Sequence, residues 1–295
     1  EPYITKTGPG VAHVKGGALY GLGLVFAGFG REVVDYLQDT IQEGIAEMSA
    51  SGADADAVNN TNGTGSTSDD DVLLHGACLG AALAGMQSQN EGLYATLREV
   101  LYQDVNIAGG AAGLAMGLVM LGSKNAQAEE EMLQYSRSTA HEKITSSLPL
   151  GLAFLNFGKE EASEKLVKEM FADHDPQLRY GACFTLGMAY VGTGNARVAQ
   201  KLLHTAVSDA SDDVRRAAMI QLGFIYCRTP AALPRMVELL SESHNQHVRY
   251  GSAIALGIGC AGTGLVAAVD VLEPMLKDPV DFVRQGAMVA LARIL

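Results

Sequence analysis

The chain has 295 residues and carries 21 Lys and Arg against 33 Asp and Glu, a formal net charge of −12. That balance disfavours nucleic acid, which needs a basic face to displace phosphate counterions, and it disfavours anionic membrane surfaces as well. The longest apolar runs, such as 109–122, fall short of the roughly 18 residues that a membrane span needs. Cys78, Cys183, Cys227 and Cys260 form no Cys-x-x-Cys, and all four are expected inside apolar helices as small reduced residues, in keeping with a cytosolic or nuclear setting.

Residues 1–15 are expected to form a loop. A charge-free run of small and apolar residues then begins, and it recurs to the end of the chain. Its clearest copy is YGACFTLGMAYVGTGN at 180–195. With Gly181 as register zero, the equivalent positions are Gly17, Gly76, Ala111, Ser147, Gly181, Ala217, Gly251 and Gly286. Their spacings are 59, 35, 36, 34, 36, 34 and 35, which is the signature of a repeat architecture. Register six is Gly or Ala throughout: Gly23, Ala82, Gly117, Ala153, Gly187, Gly223, Gly257 and Ala292. Register eleven is glycine at Gly28, Gly122, Gly158, Gly192 and Gly262.

Runs of this length favour helix over strand. Apolar character extends all round the cylinder, so each such helix, helix A, is expected to be packed on every side. Glycine costs a helix roughly 1 kcal/mol relative to Ala, which argues that the repeated glycines permit close approach of neighbouring backbones. A more polar, one-sided helix B follows each A. Examples are the stretch after Gly30, with Val33, Val34, Leu37 and Ile41, and the stretch after Gly194, with Val198, Leu202 and Ala206. The expected unit is therefore A, a glycine turn, then B, in an all-α solenoid of about eight repeats over 1–295. The first and last A helices are expected to present apolar flanks that the intact protein covers, and the chain reads as a fragment of something longer.

Several segments depart from the pattern. Residues 49–71 are polar, have no aromatic side chain and hold Val58 as their only β-branched apolar residue, and a disordered insertion between B and the next A is expected there. Within it, Asn59 and Asn62 match a glycosylation pattern that carries no weight in a cytosolic chain. Pro149 stands at register two, either in the first turn of a late-starting helix or as a kink. Gln221 stands where other copies are small. Asp175-Pro176 and Asp278-Pro279 read as helix stops.

No catalytic set emerges. Gly117 to Lys124 comes near a phosphate loop, but the lysine is displaced by one and no strand precedes it. His244 and His247 share helical spacing without further ligands, and are expected to be surface polar residues. Glu129, Glu130 and Glu131 read as a solvated helix start. Arg179, Arg215, Arg249 and Arg284 recur at one register and are expected to anchor turns against carboxylates or carbonyls.

The Gly-x5-Gly-x4-Gly helix at a period of about 35 resembles the proteasome/cyclosome (PC) repeat, and the segments 101–127, 202–224, 247–264 and 272–287 extend that resemblance to nearly all of the chain except the insertion. The resemblance implies a toroidal α-solenoid with A and B helices in concentric rings around axial helices. It implies a non-catalytic scaffold in the proteasome regulatory particle, in the cytoplasm and nucleus, without cofactor or metal. Its partners would be lid subunits, a ubiquitin receptor and the ATPase ring. The alternatives are a HEAT-like adaptor unrelated to the proteasome, and a repeat-containing lyase, which would need a titratable cleft.

Overall fold

A computed structural model describes residues 10–52 and 69–295. Among them are fifteen α-helices and no strand. They fall into two compact units, residues 1–155 and 156–295. The first holds α1 (Val11–Val25), α2 (Arg31–Gly52), α3 (Asp69–Ala84), α4 (Glu91–Tyr102), α5 (Asn106–Val119), α6 (Ala126–Ser138) and α7 (Glu142–Leu155). The second holds α8 (Glu164–Phe171), α9 (Pro176–Ala189), α10 (Ala196–Ser208), α11 (Asp212–Tyr226), α12 (Leu233–Ser241), α13 (Gln246–Gly259), α14 (Val266–Met275) and α15 (Asp281–Ile294). Short 3-10 turns at Glu160–Ser163 and Pro230–Ala232 lead into α8 and α12.

Odd-numbered helices are the A helices and even-numbered ones the B helices. In the first unit α1, α3, α5 and α7 stack in series, and in the second α9, α11, α13 and α15 do the same. Each B helix packs chiefly on the A helix that follows it: α2 on α3, α4 on α5, α10 on α11. Of the two A–B pairings, the closer is thus B with the next A, across the polar turn, rather than A with its own B. The amphipathic pattern explains it, because Val34, Leu37 and Ile41 of α2 are buried, as are Val198, Leu202 and Ala206 of α10.

Several expectations need correction. Helix α1 starts at Val11, inside the stretch read as loop. Helix α2 runs to Gly52 and α3 starts at Asp69, so both ends of the 49–71 segment are helical. Its remaining positions, with Asn59 and Asn62, lie outside the described residues. Pro149 is interior to α7 and buried, which removes one backbone bond from mid-helix. Asp175-Pro176 starts a helix rather than ending one: the Asp175 carboxylate accepts the Gln177 N–H at 2.8 Å, and Pro176 occupies the first position of α9. Cys227 follows the end of α11 and is exposed, whereas the other three cysteines are buried. Burial alone pushes the Cys78 thiol up to about 12 and so keeps it unreactive.

The A helices are not enclosed all round. Registers three and seven, for example Leu114 and Leu118, Phe184 and Met188, or Ile220 and Phe224, stay partly exposed in copy after copy. Neighbouring A helices cover two sides and a B helix covers a third. The fourth side is a half-open apolar seam, which apolarity read from sequence alone cannot separate from a buried face.

Candidate functional site: the contacts between repeats

Glycines at registers zero and six sit where backbones nearly touch. A Cβ at Gly23 would lie 2.3 Å from the Gly80 carbonyl oxygen, and one at Gly76 would lie 2.1 Å from that of Gly16. At Gly117 it would meet Gly151 Cα at 2.4 Å, at Gly223 the Ala255 oxygen at 2.5 Å, and at Gly257 Ala290 Cα at 2.8 Å. Gly251 and Gly286 face the side chains of Met219 and Tyr250 at 2.6 and 2.8 Å. At Gly187 the obstacle is Gln221, whose Oε1 and Cβ would stand 2.1 and 2.7 Å from the added carbon. Gly181 is buried, and its carbonyl accepts the Thr185 hydroxyl at 2.9 Å. Gly17 departs from the set: it is exposed, with nothing within 4 Å of a Cβ position. Its neighbour Gly16 makes the close approach instead.

Register eleven has a different cause. Gly28, Gly122, Gly158, Gly192 and Gly262 have φ between 65° and 74°, the left-handed region that L side chains avoid. Gln87 takes the same conformation at φ 62° without being glycine. This turn aims backbone donors at the end of the next A helix. The N–H of Gly28 reaches Leu83 O at 3.0 Å, that of Gly122 reaches Phe154 O at 3.0 Å, and that of Gly192 reaches Phe224 O at 2.9 Å. A second left-handed residue two positions on repeats the device: Gln89 to Val119 O, Lys124 to Leu155 O, Gly194 to Ile225 O and Gly264 to Ile294 O, at 2.9–3.1 Å. A helix leaves its last four carbonyls without internal donors, and here the preceding turn satisfies two of them. Arg228 and Pro230 hold the corresponding places after α11, where Pro230 has no N–H to give.

The same turns start the B helices. Asn90, Asn125 and Asn195 each accept the N–H groups two and three residues on, at 2.9–3.2 Å. These asparagines lie at register fourteen and went unread in the sequence. Their recurrence after Ser-x or Thr-x was the available signal.

The B-to-A turns carry charge. Arg179 donates from Nε and Nη2 to the Asp209 carboxylate, and from Nη1 to the carbonyls of Asp173 and His174. Arg249 does the same with Asp278 and the carbonyls of Ser243 and His244. Arg215 and Arg284 then bond the backbone carbonyls of Asp209 and Asp278, each from the following A helix. Burial pushes the Asp209 carboxyl up, but the Arg179 bonds and the Ser211 N–H outweigh it and hold the group below the usual range. Asp278 is held low by Arg249 in the first place, against a smaller effect of burial.

Asp71, read as part of the insertion, is buried in α3 and accepts the Ala108 N–H in the first turn of α5 at 2.8 Å. Burial raises its carboxyl above the ordinary value. Glu129 and Glu131 are likewise not free: Lys124 pairs with Glu129 at 2.5 Å, and Glu131 takes hydrogen bonds from Tyr94 and Tyr102 and an ion pair from Arg98 at 3.6 Å. His247 stacks on Phe282 with ring centroids 5.4 Å apart and faces Asp212, while His244 is exposed. Among the described residues no three metal-ligating side chains converge, and no helix is long and apolar enough to cross a membrane.

Gly23, Gly76, Gly117, Gly187, Gly223, Gly251, Gly257 and Gly286 thus lie against a neighbouring helix, whereas Gly17 does not. The PC-repeat description, "Proteasome/cyclosome repeat", matches residues 17–50, and the HEAT-repeat description matches 163–256 and 199–292. The chain carries a PC repeat. Its relatives make the match full-length on this side. It is 50% identical to the 26S proteasome regulatory subunit RPN2 of Saccharomyces cerevisiae over 294 residues, covering 100% of this chain and 29% of that protein. Against RPN2 of Eremothecium gossypii the identity is 48%, with 100% and 30% covered. Against the 26S proteasome non-ATPase regulatory subunit 1 of Drosophila melanogaster it is 48%, with 100% and 27% covered. The PC-repeat chain thus spans less than a third of the length of these relatives.

Proposed function

We propose that this chain serves as repeat scaffold within a subunit of the proteasome regulatory particle, holding lid subunits and ubiquitin-processing factors near the ATPase ring, in cytoplasm and nucleus, without catalysis of its own. One observation carries the reading: identity of 43–50% to proteins named as proteasome regulatory subunits, over 95–100% of this chain. The geometry supports it. Glycines such as Gly23, Gly117 and Gly223, the left-handed turns and the Arg–Asp pairs join one helix to the next, which is what a rigid positioning element requires.

The test is affinity purification of the full-length parent with quantitative mass spectrometry. Regulatory-particle subunits should be recovered in near-equal amounts. Recovery without them would favour the second reading, a HEAT-like adaptor, which the HEAT match over 163–292 supports.

A further inference from the structure

The first A-to-B turn breaks the rule of the others at one position. At register twelve the other hairpins place Ser88, Ser123, Lys159, Thr193, Thr229 and Thr263, and in four of them the hydroxyl accepts the N–H two residues on, at 3.3 Å. The first hairpin places Phe29 there, 93% exposed. Ser88, which has a hairpin on either side within its unit, is exposed at the same register. Thr193, Thr229 and Thr263 are exposed here as well, and Ser123 and Lys159 partly so, which makes this place in the turn a surface position rather than a core one. The turn itself is held firmly: the Gly28 N–H bonds Leu83 O at 3.0 Å, and the Phe29 N–H bonds Phe26 O at 3.0 Å.

Phe29 stands at the mouth of a cleft of about 1070 Å³ whose apolar lining includes Phe26, Val33 and Met86. Glu32 and Asp35 line it too, and from them a row of carboxylates continues along the exposed face of α2 through Asp39, Glu43 and Glu47. The row covers about 22 Å of helix at spacings of three and four residues. Arg31 is the sole cation of α2, and none of the five carboxylates is in an ion pair with another described residue. Arg31 lines the same cleft and Lys15 the groove beside Asp39 and Glu43, so five carboxylates face two nearby cations, and an unburied aromatic beside this net negative row defines its complement.

We propose that this face docks a basic amphipathic helix of a partner protein, with apolar side chains seated against Phe29, Phe26 and Met86, and Lys or Arg at i, i+3 and i+4 spacing along α2. This deepens the scaffold reading and rests on it for the existence of a partner. A failed titration would remove this surface and leave co-purification with the particle untouched.

The probe is a fluorescein-labelled, blocked peptide of Leu and Lys, about 18 residues long and patterned as one helical stripe. Fluorescence anisotropy follows its binding to the full chain. Saturable binding is expected, weakened about tenfold by Phe29→Ser and about tenfold by Glu32→Lys with Asp35→Lys. It should also weaken as salt rises. Phe29→Ser installs the type of residue that the other turns carry, so circular dichroism should show it folded. Should either variant unfold, the other decides. No saturable binding would overturn the proposal, as would equal binding of a scrambled or Glu-for-Lys peptide, or indifference to both sets of substitutions. A concentration-dependent dimer in sedimentation, lost in Phe29→Ser, would overturn it too by assigning the face to a second copy of the chain.

Discussion

Arg179 and Asp209 lie 30 positions apart and meet in a two-pronged pair, Nε to Oδ2 at 2.9 Å and Nη2 to Oδ1 at 3.2 Å. The side chains are only 17% and 10% exposed, so solvent screens them little. Arg249 and Asp278 repeat the geometry at 2.6 and 3.0 Å. Each pair joins the start of one A helix to the turn before the next. Each aspartate is gripped at the carboxylate by the arginine of one repeat and at its carbonyl by that of the following repeat.

These pairs set a pH dependence. Both aspartates have carboxyl groups held below the unfolded value, which for Asp is about 3.9. The folded state therefore binds fewer protons than the unfolded state between the two values. Their contribution is fully present above about pH 4 and is lost as pH falls through the lower, folded value. Urea unfolding followed from pH 7 to pH 3 should show this decline, and Asp278→Asn should flatten it. A variant as pH-dependent as the parent would count against the pair. Arg249→Ala should cost on the order of 3 kcal/mol, because it leaves a carboxylate that is 8% exposed without its partner.

Close approach of backbones predicts opposite signs for the same substitution. Gly117→Ala should lower stability by about 1–3 kcal/mol, since the new carbon would meet Gly151 backbone at 2.4 Å. Gly187→Leu should do at least as much. Gly17→Ala should instead stabilise by about 0.5–1 kcal/mol, because it lies in a helix with open space around it. Thermal unfolding of the three variants side by side separates packing from helix propensity.

The left-handed turns make a reciprocal pair. Gly262→Ala should cost about 1–2 kcal/mol through backbone strain alone, as nothing lies within 4 Å of the added carbon. Gln87→Gly should gain a similar amount by relieving a φ of 62°. Chemical denaturation of both variants reads the two effects with opposite sign.

Gln221 is fully buried, and neither of its amide atoms has a hydrogen-bond partner among the described residues. Gln221→Met keeps the length and removes the unsatisfied group, so a gain of about 1–2 kcal/mol is expected from the midpoint of urea unfolding. A loss would show that the amide is satisfied in solution.

The repeat and the alternation of A with B helices were legible in the sequence, because small residues are forced wherever two helices nearly touch and glycine wherever φ is positive. Both demands recur with the period. Three things were less accessible. The half-open seam at Phe184 and Ile220 was invisible, since a partly covered Phe and an enclosed one are the same letter. Asp71 read as the end of the disordered insertion, and the approach of Ala108 from α5 is what shows it as a buried acceptor. Gly17 has the same place in the repeat as Gly181 but no neighbour, so the repeat alone overstated its role.

The turn donors of Gly28, Gly122 and Gly192 point forward along the chain, never back. Each junction therefore draws its backbone donors from the earlier repeat and its acceptors from the later one, so the two ends of a stack are not equivalent: the last helix is left with nothing to donate to, and the first has carbonyls that only a preceding turn could satisfy.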